Sequence, residues 1–354
     1  MGFSQLRVFL AFISGAIFML FTLTMINQQM FVFQRHPHST LTARNQAVIQ
    51  KNAVPLSLHA LKAAPRTTVT DSESNGIAEK KLSDVTQRTR LRKVRLLCWV
   101  LTSPKTLKTK ATMVARTWAK KCSQTLFMSS QKSTSFPGNV IGLEVAEGRN
   151  ALWNKTRMSL EYIYTQHFND ADWFFKADDD TYVVVENLMA FLSRQDPSEP
   201  VFFGFSFNKT LPYFKVESRQ MDYMSGGAGY AMSREALRRF VEVGLQDRTG
   251  QCPDSHLDWP EDLCLGMCME SLGVRSKDHR DRYGRFRFLP IYLHYFLDDG
   301  MSPLTWLHEY SKYNITRGQD CCSESLISIH YVNPGDMLVY DFLIHNVKVG
   351  LLDG

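Results

Sequence analysis

Apolar residues are spread along this chain in three different ways. Residues 8–26 form an uncharged, almost wholly apolar run. A membrane-crossing helix takes ~20 such residues and the core of a cleaved signal only ~7–15, so the run predicts an uncleaved anchor. A cleaved signal peptide is the alternative, but no small-x-small site follows the run, where Asn27, Gln28 and Gln29 stand. In residues 27–90 the apolar pattern dissolves. The stretch 34–81 holds no aromatic residue and carries Pro37, Pro55 and Pro65. Such a segment buries no core and predicts an extended stem.

From about residue 91 the pattern becomes periodic. A buried strand is predicted over 94–102, ending before Pro104, and a helix over 108–121 with Ala111, Val114, Ala115 and Trp118 on one face. A short strand over 125–129, an amphipathic helix over 149–168 and an apolar strand over 172–177 follow. Strands alternating with helices predict an α/β fold with a largely parallel, doubly wound sheet. Ligands of such sheets bind at the carboxyl ends of the strands, where Asp178, Asp179 and Asp180 fall.

Composition adds two constraints. The 354 residues are 44% hydrophobic and 12% aromatic, enough for one large core or two modest ones. The net charge is only +6, yet residues 85–143 contain no Asp or Glu and a dozen Lys and Arg, Arg116 among them. Such a field suits an anionic partner such as a nucleotide diphosphate, although most of these residues also fit a solvated basic face. Nucleic acid is not the expected partner, because other features put the body of the chain outside the cytosol. Three N-glycosylation sequons, at Asn154, Asn208 and Asn314, all follow the apolar run. The seven cysteines all lie beyond residue 90, without the paired spacing of a zinc site, and predict disulfides in an oxidising compartment. Seven is odd, so at least one thiol is free or paired between chains. Cys321 and Cys322 are expected to reach separate distant partners, since a bridge between neighbours is strained.

Three adjacent carboxylates at 178–180 repel one another unless a counter-charge is present. Alternating side chains of an extended or turning backbone share a face, which would converge Asp178 and Asp180 on one divalent cation. The plainer reading is an acidic turn capping a helix over 184–194. Glu261-Asp262 offers a general base for a hydroxyl nucleophile, or else the acidic start of a helix. The segment 223–230, Tyr-Met-Ser-Gly-Gly-Ala-Gly-Tyr, lacks the spacing of a phosphate-binding loop. It suits close backbone approach to a bound sugar, or a bulged strand pair. His330 lies in an apolar strand pattern, Ile327-Ser328-Ile329-His330-Tyr331-Val332, where a core histidine is the ordinary expectation.

The segment Asp172-Trp173-Phe174-Phe175-Lys176-Ala177-Asp178-Asp179-Asp180-Thr181-Tyr182-Val183 resembles the D-x-D region of core 1 β1,3-galactosyltransferases, the T-synthases of glycosyltransferase family 31. The likeness runs in order through Ala115-Arg116-Thr117-Trp118, Phe127-Met128-Ser129-Ser130, Glu147-Gly148-Arg149, the glycine segment, residues 261–266, Cys321-Cys322-Ser323 and His330-Tyr331-Val332. It covers residues 92–343. It implies a GT-A type, Rossmann-like nucleotide-sugar transferase fold, UDP-galactose as donor and GalNAc α-linked to Ser or Thr on glycoproteins as acceptor. It further implies inversion, Mn2+ held by Asp178, Asp180 and His330, and Asp262 as the base. Arg116, Asp179 and Lys155 then belong to the donor side, and Glu261, Tyr223, Gly226, Gly227 and Trp306 to the acceptor side. The implied organisation is a cytoplasmic tail (1–7), anchor (8–26), stem (27–90) and lumenal catalytic domain (91–354) of a single-pass Golgi membrane protein. Implied protein partners are a second copy of the chain and a dedicated chaperone. The resemblance is departed from at Arg116, where relatives more often carry the basic residue one position earlier, and at Cys264 and His308, which replace a small apolar residue and a tryptophan. A homologous chaperone without an intact D-x-D, another β1,3-transferase of the same family, and a two-carboxylate glycosidase are the competing readings.

Overall fold

The computed structural model describes residues 93–211, 219–254 and 259–350. The expected anchor over 8–26 and stem over 27–90 lie outside them; among the described residues no helix is long and apolar enough to cross a membrane.

Strand β1, Leu96–Leu101, is buried along its whole length. Its odd and even residues face different cores: Leu96, Cys98 and Val100 one, Leu97, Trp99 and Leu101 the other. That is why the segment reads as an unbroken apolar run rather than an alternation. β1 is an interior strand of a seven-stranded sheet in the order β10-β6-β9-β4-β1-β2-β3. The flanking strands are β2 (Gln124–Ser129), β3 (Asn139–Gly142), β4 (Trp173–Asp178), β6 (Val201–Gly204), β9 (Tyr230–Ser233) and β10 (Arg275–Ser276). β1 runs parallel to β2 and β4, β2 to β3, and β6 to β10; β9 alone among them runs antiparallel to both its neighbours. The sheet is therefore mixed α/β and largely parallel, as the alternation of patterns led one to expect. A three-stranded sheet, β11 (Phe288–Leu289), β12 (Ser328–Ile329) and β5 (Tyr182–Val183), and a hairpin of β7 (Ser206–Leu211) with β8 (Arg219–Met224) complete the strands described.

The helices are α1 (Thr112–Arg116), α2 (Leu152–His167), α3 (Val185–Leu192), α4 (Arg234–Glu242), α5 (Glu261–Ser271), α6 (Leu293–Leu297), α7 (Thr305–Tyr310) and α8 (Pro334–His345). The helix expected over 108–121 is present but irregular. It begins as a π turn over Leu107–Ala111, continues as α1, breaks at Thr117 and ends as a 3-10 turn over Trp118–Lys121. The break brings the buried Trp118 under the aspartate turn, where its indole N–H donates to the Thr181 carbonyl at 2.9 Å.

Cys98 bridges Cys122 and Cys252 bridges Cys268, closing loops with separations of 24 and 16 residues. Each removes roughly 3 kcal/mol of chain entropy from the unfolded state in the loop-closure account. The odd thiol is Cys264, buried in α5. The expectation for Cys321 and Cys322 is corrected: they bridge each other. The four other bonded cysteines satisfy one another. The pair follows a turn in which the Cys321 N–H donates to the Gly318 carbonyl at 3.1 Å.

Candidate active site

The site forms where β4 ends. Thr181 closes the turn: its N–H donates to the Asp178 carbonyl at 3.1 Å and its hydroxyl to the Gly227 carbonyl at 2.8 Å. The turn sends the three aspartates in two directions. Asp179 points into the protein and accepts from the Thr102 hydroxyl at 2.8 Å; burial raises its pKa. Asp178 and Asp180 turn to the opposite side and meet His330, with oxygens 3.7 and 3.3 Å from its Nε2. One ligand atom of each of the three lies within 4.8 Å of the others. The capping alternative is not what forms, since α3 starts at Val185 with Val184 as its N-cap and no side-chain cap.

His330 is held for this task. Its Nδ1 lies 3.0 Å from the Pro290 carbonyl, so that nitrogen carries a proton and the ring is oriented with Nε2 towards the carboxylates. A Cβ on Gly227 would stand 2.0 Å from the imidazole, so only glycine allows the ring its position. The next residue, Tyr331, has φ +55° and stacks its ring on His330 with centroids 3.9 Å apart. A bulky residue in the left-handed region costs of order 1–3 kcal/mol, and such strain concentrates at functional sites.

Two cations balance the carboxylates. Lys110, on the π turn, reaches Asp180 at 2.8 Å, and the buried Lys176 reaches Asp178 at 2.8 Å. Burial works to raise the Asp180 pKa, but His330 and Lys110 outweigh it and hold this carboxyl well below its usual range. The donor set is two carboxylates and an imidazole nitrogen, which suits a borderline divalent cation.

Lys176 also links this cluster to the acidic pair. Its ammonium donates to the Gly226 carbonyl at 2.8 Å and lies 3.9 Å from Glu261. Glu261 is enclosed, accepting from Tyr230 at 2.7 Å and Thr156 at 3.2 Å. Asp262, the next residue of α5, is half-exposed and accepts from the N–H groups of Gly226 at 3.1 Å and Leu263 at 2.9 Å. Burial raises the pKa of both, against the pull of Lys176. A Cβ at Gly226 would stand 2.6 Å from Glu261, so the glycine segment is tight because it packs on the protein's own acidic and imidazole groups.

The remaining expected residues are placed as follows. Tyr223 is buried, with Phe207 5.3 Å away; Phe207 in turn lies 6.4 Å from Trp306, which is 43% exposed, so the two expected acceptor-side rings join one aromatic cluster. Lys155 is buried behind the site, its ammonium given to Glu147 at 2.9 Å and to the Thr102 carbonyl at 2.5 Å. Arg116 is exposed at the end of α1. Asn154 is half-buried in α2, Asn208 donates to Asp222 at 2.6 Å, and Asn314 is exposed. Sequence reasoning passed over Lys110, Lys176 and Tyr230. A lone lysine in the otherwise apolar β4 is the one signal that marked any of them.

Residues 92–281 match the family described as Fringe-like. The chain is 42% identical over 259 residues to glycoprotein-N-acetylgalactosamine 3-beta-galactosyltransferase 1 of Xenopus laevis, covering 73% of this chain and 68% of that one. It is 28% identical over 207 residues to a beta-1,3-glucosyltransferase of Mus musculus, covering 55% of this chain and 40% of the relative. A solved structure of GalNAc-T7 with UDP, GalNAc and Mn2+ overlaps 44% of this chain and 38% of its own at 13% identity, with a TM-score of 0.28.

Proposed function

The chain belongs to the Fringe-like family, and from that premise we propose that it transfers galactose from UDP-galactose to the 3-hydroxyl of GalNAc α-linked to Ser or Thr, forming Galβ1-3GalNAc. The 42% identity to a glycoprotein-N-acetylgalactosamine 3-beta-galactosyltransferase supports the substrates. The observation that carries the chemistry is the convergence of Asp178, Asp180 and His330 on one point, joined through Lys176 to the Glu261-Asp262 pair.

Asp178, Asp180 and His330 would hold the divalent cation, which we take to be Mn2+. Bound there, it supplies positive charge for the diphosphate of the leaving UDP. The chain's own residues do the rest. Asp262 takes the proton of the acceptor 3-hydroxyl as that oxygen bonds to the anomeric carbon and the bond to the UDP phosphate breaks. A single displacement with one base gives inversion. The Gly226 N–H fixes one Asp262 oxygen, and Lys176 keeps Gly226 and Asp178 in register. The raised pKa of Asp262 makes it a stronger proton acceptor than an ordinary aspartate. Glu261, enclosed by Tyr230 and Thr156, supports its neighbour from behind. Tyr223 and Trp306 offer aromatic surface to the acceptor sugar, and Arg116 faces solvent as a charge for the nucleotide. Asp179 and Lys155 serve the donor side by holding Thr102 at the end of β1.

The same reading takes the body as a GT-A catalytic domain over 91–354, lumenal in the Golgi and tethered by 8–26 through the stem. The intact aspartate triplet and acidic pair favour an enzyme over its chaperone homologue. Incubation with a panel of UDP-sugars and a GalNAc-peptide, with and without chelator, tests the assignment. Metal-dependent transfer from UDP-galactose alone is expected. Transfer from another UDP-sugar would replace the donor, and no metal-dependent turnover of any donor would remove the enzyme.

A further inference from the structure

A cavity of about 420 Å³ opens beside the chain segments that lead into β11 and β12, with Tyr283, Arg285, Thr316, Asp320, Cys321 and Glu324 in its lining. Its walls are already joined: the Ser323 N–H donates to the Phe286 carbonyl at 2.9 Å, and Arg285 reaches Glu324 at 3.3 Å. The Tyr283 ring is 65% exposed, with the Arg285 guanidinium 5.0 Å from its centre. Charge does not favour an anion here. Arg285 is paired with Asp281 at 2.8 Å, and Asp320 and Glu324 add two exposed carboxylates. An open aromatic ring beside carboxylates and a hydroxyl suits a neutral ligand with C–H faces and many hydroxyl groups, which is a saccharide.

Thr316 is also the third residue of the sequon Asn314-Ile315-Thr316. Burial alternates along this stretch: Asn314 and Thr316 are exposed, Ile315 and Arg317 half-buried. Ile315 packs on the core, and Arg317 donates to the Tyr295 and Met301 carbonyls at 3.0 and 2.7 Å. Such alternation is that of an extended backbone, which puts Asn314 on the face of Thr316, ~6–7 Å along the chain from it. Of the three sequon asparagines Asn314 is the exposed one; Asn154 is half-buried, and so is Asn208, whose amide is given to Asp222. We propose that Asn314 carries an N-linked glycan and that the cavity holds its first sugars, a proposal that rests on the lumenal reading of the body. The Asn314 amide nitrogen bonds to the anomeric carbon of a lipid-linked oligosaccharide, the bond to the lipid pyrophosphate breaks, and the amide proton passes to the departing pyrophosphate. Seated in the cavity, the sugars strap residues 283–286 to 316–324. These segments run on into β11 and β12, beyond which Pro290 holds His330.

The test uses the full chain made in a eukaryotic cell that N-glycosylates. Glycopeptide mass spectrometry should find Asn314 occupied. Peptide N-glycosidase should release that glycan slowly from the native chain and at least about fivefold faster from Tyr283→Ala, which removes the ring it rests on. Asn314→Gln and Tyr283→Ala should each lower the melting temperature by about 2–4 °C, and the double variant should fall no further than the lower of the two. Circular dichroism checks that each variant has folded. Protection of the body from added protease in sealed Golgi vesicles reports its compartment separately. A protected chain with Asn314 empty overturns the proposal alone, as do equal release rates or additive losses of melting temperature. An unprotected chain removes the lumenal reading and the proposal with it.

Discussion

The two acidic clusters of the site are built on opposite electrostatic plans. At the end of β4, Asp178 and Asp180 each have an ammonium at 2.8 Å, and Asp180 is driven well below the usual carboxylate range. At the start of α5, Glu261 and Asp262 share one more distant ammonium, and burial drives both upward. Metal ligands must stay ionised, whereas a base must want a proton. On the proposed reading, one residue type serves both ends because its surroundings set its proton affinity. Lys176 touches both clusters and is the part they share.

The sharpest way to break this contrast is at the ionised end. Asp180→Ala should reduce transfer by more than about a thousandfold, since a metal at a departing phosphate is worth several kcal/mol. The fold should remain, because the change removes an ion pair with Lys110 but no core packing, and circular dichroism beside an activity assay reads both. A mutant that transfers normally would leave the metal reading without support.

Asp262→Asn tests the other end. It keeps size and the Gly226 contact but no longer takes a proton, so transfer should fall ~10²–10⁴-fold while UDP binding, measured by calorimetry, is retained. Glu261→Gln should be milder; reversed severities would move the base to Glu261.

The shared part comes next. Lys176→Met leaves buried carboxylates unpaired, a loss of about 3–5 kcal/mol seen in chemical denaturation. Adding Glu261→Gln should recover part of that loss. Simple additivity of the two changes would deny the link between the clusters. A smaller effect is expected from Gly227→Ala, whose methyl displaces the His330 ring and should weaken metal affinity ~10–100-fold without removing a ligand.

The smallest effect concerns pH. Glu261 has a raised pKa in the folded chain, so the folded state binds this proton more tightly than the unfolded state does. Its contribution to stability is therefore greatest in acid and is lost as pH rises from the unfolded value, about 4.3, through the folded one. Glu261→Gln should flatten the melting temperature over that range. An unchanged slope would mean that the carboxyl titrates as an ordinary one.

Much of this architecture was visible in the residues themselves. β1 and β4 stood out because strands buried on both faces are almost wholly apolar, and Asp178 to Asp180 stood out because three carboxylates break that run. The break at Thr117 was not visible, because Trp118 leaves the helix to reach the Thr181 carbonyl, 63 residues away. His330 looked like a core residue in its own strand. Its role rests on Pro290 and Gly227, which only the fold brings against it. Glu261 and Asp262 are adjacent and similar, and their division into enclosed and open groups depends on Tyr230 and Thr156. The bridge between Cys321 and Cys322 is one that cysteine spacing does not encode.

The sequon at Asn154 has a consequence for the life of the chain. Its Thr156 is buried in α2 and bonded to Glu261. A machinery that must grip that hydroxyl can do so only before α2 docks. Asn314, exposed in a loop, stays open after folding. Glycan at the first position and at the second would therefore be written at different times. On the proposed lumenal reading, their ratio in the mature chain would act as a clock for how long the body stayed unfolded.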